Sequence, residues 1–187
     1  MKTGILITNL GTPKSLTVKA VRAYLKEFLW DPDVVQVKPR WCWWLILRGL
    51  ILPFRGPKSL ERYASIWTAA GSPLLVYSQA LVEQLSQHLG PDYVVALGMR
   101  YGEPSLASAL KQLIDAGVET LQVIPLYPQY SISTTRTTFT VVTQMLSRMG
   151  SVPSLLFQAR YFNHPAYIQA LADSVRTYWE THGRADK

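Results

Sequence analysis

The stretch Gly4-Ile5-Leu6-Ile7-Thr8-Asn9-Leu10 carries its apolar residues at consecutive positions rather than at every second one. A strand with one wet face alternates, whereas a strand covered on both faces does not. Residues 4–10 therefore predict a buried strand of a parallel sheet. Three further runs repeat the pattern: "YVVALGM" (93–99), "TLQVIPL" (120–126) and "SLLFQARYF" (154–162). Between and after them the helical period predicts helices over 17–30, 73–89, 105–116, 135–149 and 164–183. The order of elements is that of an α/β fold, a four-stranded parallel sheet flanked by helices and closed by right-handed crossovers.

Boundary residues agree with this reading. Ser72 before Pro73 predicts a helix start, with the serine as N-cap and proline at the first helical position. Gly90, Gly117 and Gly150 predict three helix ends. In an open parallel sheet, ligands bind beyond the carboxyl ends of the strands. The loops there are "NLGTPK" (9–14), "RYGEP" (100–104) and "YPQYSISTT" (127–135). Arg100 can hold a carboxylate in a two-pronged fork and Tyr101 can stack on a ring. A surface ion pair and a packed tyrosine explain the same two residues equally well.

A 187-residue chain with 48% apolar and 17% charged residues is long enough for one α/β domain with a sizeable core. The net charge of +7 is concentrated. The stretch "KPRWCWWLILRGLILPFRGPK" (38–58) holds Lys38, Arg40, Arg48, Arg55 and Lys58 and no acid. These cations border tryptophan and leucine rather than the polar neighbours of a nucleic-acid groove, so no nucleic-acid partner is expected. The 14-residue apolar run from Trp41 to Phe54, broken by Arg48 and Pro53, is shorter than the roughly 20 residues that span a bilayer. On a helix Arg40 and Arg48 share one side with Trp44 between them, the pattern of a helix lying in a membrane interface. The single cysteine, Cys42, predicts a buried thiol and no disulfide, and the opening residues lack a signal-peptide pattern, so the expected location is cytoplasmic.

His88, His164 and His182 are isolated, without metal-ligand spacing. Glu27, Asp31, Asp33 and Glu103 lie near turns and form no evident pair. There is no internal repeat, no metal-spaced cysteine cluster and no complete Gly-rich dinucleotide fingerprint. From the residues alone the expectation is a pocket that joins aromatic faces to cationic groups, suited to a large, flat, carboxylated ligand.

The motifs "NLGTP", "FLWDPDVV", "WW" followed by "LRGLILPFR", "YASIW", "GSPLLVYS", "ALGMRYGEPS" and "IPLYPQYSISTT" occur here in order. Together they resemble the ferrochelatases, of the bacterial protohaem type, over essentially the whole chain. The resemblance implies a Rossmann-like, chelatase-like domain, one of the two similar domains of the family fold, with an N-terminal domain over 1–150 and a strand and helix over 151–187 that lead into the second. It implies insertion of ferrous iron into protoporphyrin IX as the last step of protohaem synthesis, on a cytoplasmic protein attached peripherally to the inner face of the membrane. The porphyrin-lining role falls on Leu10, Arg55, Tyr63, Ser72, Arg100, Tyr101 and Tyr130. A membrane-facing lip falls on Trp41, Trp43, Trp44, Leu45, Arg48, Leu50 and Ile51.

Departures from the family pattern carry their own expectations. The family's metal-site histidine belongs to a "SxHGxP"-like motif and its partner glutamate lies further on. Neither is present, since "THGRAD" (181–186) lacks the preceding strand and the proline. The chain is thus expected to supply an N-terminal, porphyrin-binding half, to be inactive alone and to need the C-terminal half as partner. A non-catalytic porphyrin- or membrane-binding module is the alternative; a cobalt or nickel chelatase fits the tryptophan-rich lip less well. No permanent cofactor is expected, and no iron–sulfur cluster, because Ile132 stands where cluster-bearing members have cysteine. The charge of Arg136 has no explanation in the pattern. Self-association is expected from an uncovered apolar face.

Overall fold

The computed structural model describes residues 2–184. "THGRAD" therefore runs partly outside the described residues, as does Lys187. Four parallel strands form one sheet: β1 (Thr3–Gly11), β2 (Tyr93–Tyr101), β3 (Thr120–Pro125) and β4 (Ser154–Phe157), in the spatial order β2-β1-β3-β4. The segment read first, residues 4–10, lies in the strand at the centre. It pairs with β2 from Thr3↔Tyr93 onward and with β3 from Thr3↔Thr120 onward. Consecutive apolar residues are needed there because both faces are covered.

Alternate residues of the central strands feed two cores. Leu6, Ala96, Leu121 and Val123 pack with Leu106, Ala109, Leu110 and Leu113 of helix α5 (Leu106–Asp115) and with Val142 and Leu146 of helix α6 (Thr137–Leu146). Ile5, Ile7, Val95, Leu97 and Met99 pack on the opposite face against helix α4 (Pro73–Leu89), through Leu74, Leu81 and Leu85. A third cluster stands apart from the sheet. It gathers Leu29 of helix α1 (Val18–Trp30), Trp43 of helix α2 (Arg40–Ile46), Leu47 and Leu52.

Helix α2 runs through a π-helical turn (Leu47–Ile51) into helix α3 (Leu52–Ala64). Pro57 lies inside α3 and has no N–H to offer the carbonyl of Pro53 four residues earlier. Arg22 of α1 fills that gap: its Nη2 donates to Pro53 O at 3.1 Å and its Nε to Leu52 O at 3.1 Å. Gly56 makes the approach possible, since a Cβ there would sit 2.7 Å from Arg22 Cγ.

Three sequence expectations are corrected. The fourth strand stops at Phe157 rather than running to 162. Its partner β3 ends at Pro125, so the chain leaves the ladder, and Tyr161 and Phe162 donate instead to Pro128 O at 3.0 and 3.1 Å. Residues 135–149 divide into a π-helical turn (Ile132–Arg136) and the shorter α6, so Gly150 closes no helix and lacks a positive φ, whereas Gly90 and Gly117 follow helices with φ of 77° and 73°. Ser72 precedes α4 as predicted but caps nothing with its side chain. The last helix, α7 (Pro165–His182), has no buried residue.

Candidate functional site

The carboxyl edge of the sheet is built around the turn that follows β1. Gly11 has φ of 105°, and a Cβ at that position would lie 1.7 Å from Tyr101 O, so only glycine lets the turn press against the end of β2. Thr12 Oγ1 then donates to Ser72 Oγ at 2.9 Å, and Asn9 Nδ2 donates to Ser78 Oγ at 3.2 Å. These bonds tie the start of α4 to the end of β1. Ser72, expected to line the porphyrin, is buried at 5% exposure, while Leu10 is half-buried.

An aromatic cluster borders this turn. A cleft of about 330 Å³ is lined by Thr12, Lys14, Tyr24 and Glu103 among others. Buried Tyr24 stacks on Phe28 (6.1 Å, 7°) and meets Tyr63 edge-on (6.3 Å, 90°), and Tyr63 meets Trp67 edge-on in turn (6.4 Å, 87°). Burial pushes the Tyr24, Tyr63 and Tyr127 phenols above their ordinary value, with the neighbouring phenols adding to the effect at Tyr24. The Tyr127 hydroxyl is buried without a hydrogen bond among the described residues, the Thr138 hydroxyl near it donating to Thr134 O at 2.9 Å. Ser72 is thus linked to the turn through Thr12, and Tyr63 to Tyr24, which lines the cleft together with Thr12.

Arg100 and Tyr101 are used differently. Both turn onto Asp31, the residue after α1. The Arg100 guanidinium is ion-paired to Asp31 Oδ2, the Tyr101 hydroxyl donates to the same oxygen at 2.8 Å, and so does Thr137 Oγ1 at 2.7 Å. Arg100 Nε donates to Thr137 Oγ1 at 2.8 Å and its guanidinium lies 4.4 Å from the Tyr101 ring centre. Asp33 N closes the set by donating to Asp31 Oδ1 at 2.7 Å. Burial opposes ionisation of Asp31, yet the bonds from Thr137, the Asp33 amide and Tyr101, with the Arg100 charge, outweigh it and hold the carboxyl below its ordinary value. Burial pushes the Tyr101 phenol well up, against the Arg100 charge.

The carboxylate fork expected of Arg100 is therefore occupied from within the chain, and Tyr101, at 1% exposure, is a packed tyrosine. Of the readings open from the sequence, the packed tyrosine is observed, while the ion pair is buried rather than at the surface, its side chains 14% and 6% exposed. Asp31 is the residue that sequence reasoning missed. Its signal was Asp31-Pro32-Asp33, an aspartate whose side chain takes the amide two residues on. The same loop explains Arg136, whose Nη2 lies 2.5 Å from Asp33 Oδ1. Tyr130 is 54% exposed and packs beneath nothing.

The lip residues separate into two sets. Trp41, Trp44, Leu45 and Leu50 are exposed, at 66, 43, 53 and 58%, with Phe54 at 71%. Arg48 lies over Trp44, 5.0 Å from the ring centre. Trp43 departs from the expectation: it is buried, and its indole N–H donates to Leu29 O at 2.9 Å. Ile51 is partly buried against the same cluster. Arg40, expected to accompany Arg48, instead covers Trp30 at 4.4 Å and donates to Val35 O at 2.8 Å. Arg55 is exposed on α3 and lines a separate small cleft with Lys58, Ser59 and Arg62. Cys42 is half-buried rather than buried. Among the described residues no helix is long and apolar enough to cross a membrane, and no group of three or more His, Cys, Asp or Glu side chains could hold a metal ion.

The ferrochelatase family model matches residues 2–187. The chain belongs to the ferrochelatase family. It is 50% identical to a ferrochelatase of Thioalkalivibrio sulfidiphilus, an alignment that covers 98% of this chain and 51% of that protein. It is 52% identical to one of Edwardsiella ictaluri (99% and 57%) and 48% identical to one of Teredinibacter turnerae (100% and 52%). The chain spans about half the length of the curated ferrochelatases it matches. The four-stranded parallel sheet flanked by helices is one domain of the chelatase fold.

Proposed function

We propose that this chain supplies the porphyrin-binding part of a ferrochelatase that inserts ferrous iron into protoporphyrin IX in haem biosynthesis. The observation that supports the reading is the turn after β1, where Thr12 donates to Ser72 Oγ and lines a cleft with Tyr24, whose ring meets Tyr63 edge-on. Leu10 and Tyr63 offer an apolar edge and a ring face to a macrocycle, and the Ser72 hydroxyl keeps a proton to donate to a carboxylate. Arg55, exposed nearby in sequence on α3, is the cation for a propionate. Arg100 and Tyr101 support the pocket from behind by fixing Asp31, rather than gripping the ring. Gripping the rim favours a distorted macrocycle whose nitrogens face a metal. The chain works at the inner face of a membrane, reached through the exposed Trp41–Phe54 face, with no resident cofactor and no iron–sulfur cluster.

Protoporphyrin IX should bind the 187-residue chain saturably, read by quenching of tryptophan emission. Tyr63→Ala and Leu10→Glu should each weaken binding about tenfold, the cost of one lost apolar contact of ~1.4 kcal/mol. Binding indifferent to both substitutions would overturn the reading. A second reading is a non-catalytic porphyrin- or membrane-binding module, with which the structural parts played by two histidines agree. His164 caps α7 by accepting from Ala166 N at 3.3 Å and His182 stacks on Tyr178 at 4.2 Å. Supplying the remaining half of a ferrochelatase in trans separates the two, because restored iron insertion belongs only to the enzyme.

A further inference from the structure

Where helix α1 faces helix α2 and the π-helical turn after it, a cleft of about 260 Å³ is lined by Lys26, Trp30, Trp44, Leu47 and Arg48. It holds two cations, two indole rings and no acid. The acids nearest in sequence are engaged elsewhere: Glu27 accepts from Gly102 N at 3.0 Å, and Asp31 and Asp33 pair with Arg100 and Arg136. Among the described residues neither Lys26 nor Arg48 makes a hydrogen bond or an ion pair, and the indole N–H groups of Trp30 and Trp44 are unbonded, unlike that of Trp43. The Arg48 guanidinium rests over the Trp44 ring, 5.0 Å from its centre, a seat that leaves its N–H edges free. An ammonium, a guanidinium and two indole donors around one concavity form a donor set for a phosphate.

The position of the cleft around the helix selects the source of that phosphate. Trp41 and Leu45, four residues apart and both exposed, share the outward face of α2. Trp44 is turned about 100° from Leu45, onto the flank where α1 stands. A helix lying in the membrane plane sinks its outward face roughly 5–10 Å into the acyl boundary. Its diameter with side chains is about 10–12 Å, so that flank lies roughly one radius above Leu45. This is the level of the headgroups, where tryptophan gathers. Charge then selects the lipid, since a choline headgroup brings a cation of its own towards Lys26 and Arg48, whereas an anionic headgroup does not. We propose that the cleft between Lys26 and Arg48 binds the headgroup phosphate of an anionic phospholipid. The proposal rests on the reading of the Trp41–Phe54 face as membrane-seated.

Vesicle co-sedimentation tests it with the 187-residue chain, using phosphatidylcholine alone and phosphatidylcholine mixed with phosphatidylglycerol. Wild type should bind both and prefer the mixture. Lys26→Gln and Arg48→Gln should each cut that preference about fivefold, while binding to phosphatidylcholine, which reports the apolar face and the fold, is kept. A preference unmoved by both substitutions would overturn the site. A Cβ at Gly49 would meet no atom within 4 Å, so Arg48→Gln with Gly49→Arg moves the guanidinium to the next residue at constant net charge. The moved cation should not restore the preference; restoration would mean diffuse attraction and would also overturn the site. Loss of the wild-type preference in inorganic phosphate at the lipid-phosphate concentration would assign the cleft to free phosphate and overturn the lipid. Wild-type binding without preference sinks the proposal and leaves the membrane face standing, whereas no binding to either vesicle sinks both.

Discussion

Asp31 shows how one carboxylate organises three elements. It ends α1, receives Arg100 and Tyr101 from the end of β2 and receives Thr137 from the start of α6. Asp31→Ala should cost about 3–5 kcal/mol in urea unfolding, because it leaves Arg100 inside the fold without a counter-charge. The pH dependence has a definite sign. The carboxyl is held below its ordinary value, so its contribution is complete above the unfolded value near 4 and is lost as pH falls through the lower folded value. The stability difference between wild type and Asp31→Asn should therefore shrink only in acid below about pH 4; a difference constant down to pH 2 would show that Asp31 is not the group responsible. This residue was present in the sequence as a loop aspartate. Its partners are 69, 70 and 106 positions away, a separation that no local pattern encodes.

At the scale of elements, the strands were legible and the lip only in part. Consecutive apolar residues mark a strand wet on neither side, and those runs located all four strands, but the edge strand β4 stops at Phe157 and leaves one face open, with Leu156 56% exposed. The lip misled because a helix that is apolar on most sides does not say which tryptophan points inward. The structure answers with Trp43, fixed by Leu29 O. Trp43→Ala should cost about 3–5 kcal/mol, whereas Trp41→Ala should stay within about 0.5 kcal/mol; thermal unfolding of the two variants compares them directly. The junction of α1 with α3 makes a second prediction. Gly56→Ala should displace Arg22 from Leu52 O and Pro53 O, and it should destabilise by about as much as Arg22→Ala, with the double variant costing little more than either alone. Additive losses in denaturant titrations would mean that the two residues do not act through one contact.

For the whole molecule, α7 presents Ile168, Leu171, Val175, Tyr178 and Trp179 at exposures from 39 to 59%, spaced as one helical stripe. A contiguous apolar surface of this kind drives association. The chain should sediment with a concentration-dependent mass, and Leu171→Glu with Val175→Glu should shift it toward the monomer. A wild-type mass constant across dilution would contradict this. The stripe was visible in the sequence as an amphipathic helix, but amphipathicity does not say whether the apolar side is covered, and only the packing of residues 2–184 decides it.

The sheet order also sets a timetable. The strand made first, Thr3–Gly11, occupies the middle, and both its neighbours are made at least 80 residues later, from Tyr93 and Thr120. At roughly 5–20 residues per second of synthesis, its two bare edges wait several seconds for partners. Until Tyr93 is reached the nascent chain can build only its local helices, α1 to α4. Cells making this protein must shelter an unpaired, highly apolar strand until synthesis has passed Pro125, so limiting chaperone capacity should lower its yield before it touches any folded-state property.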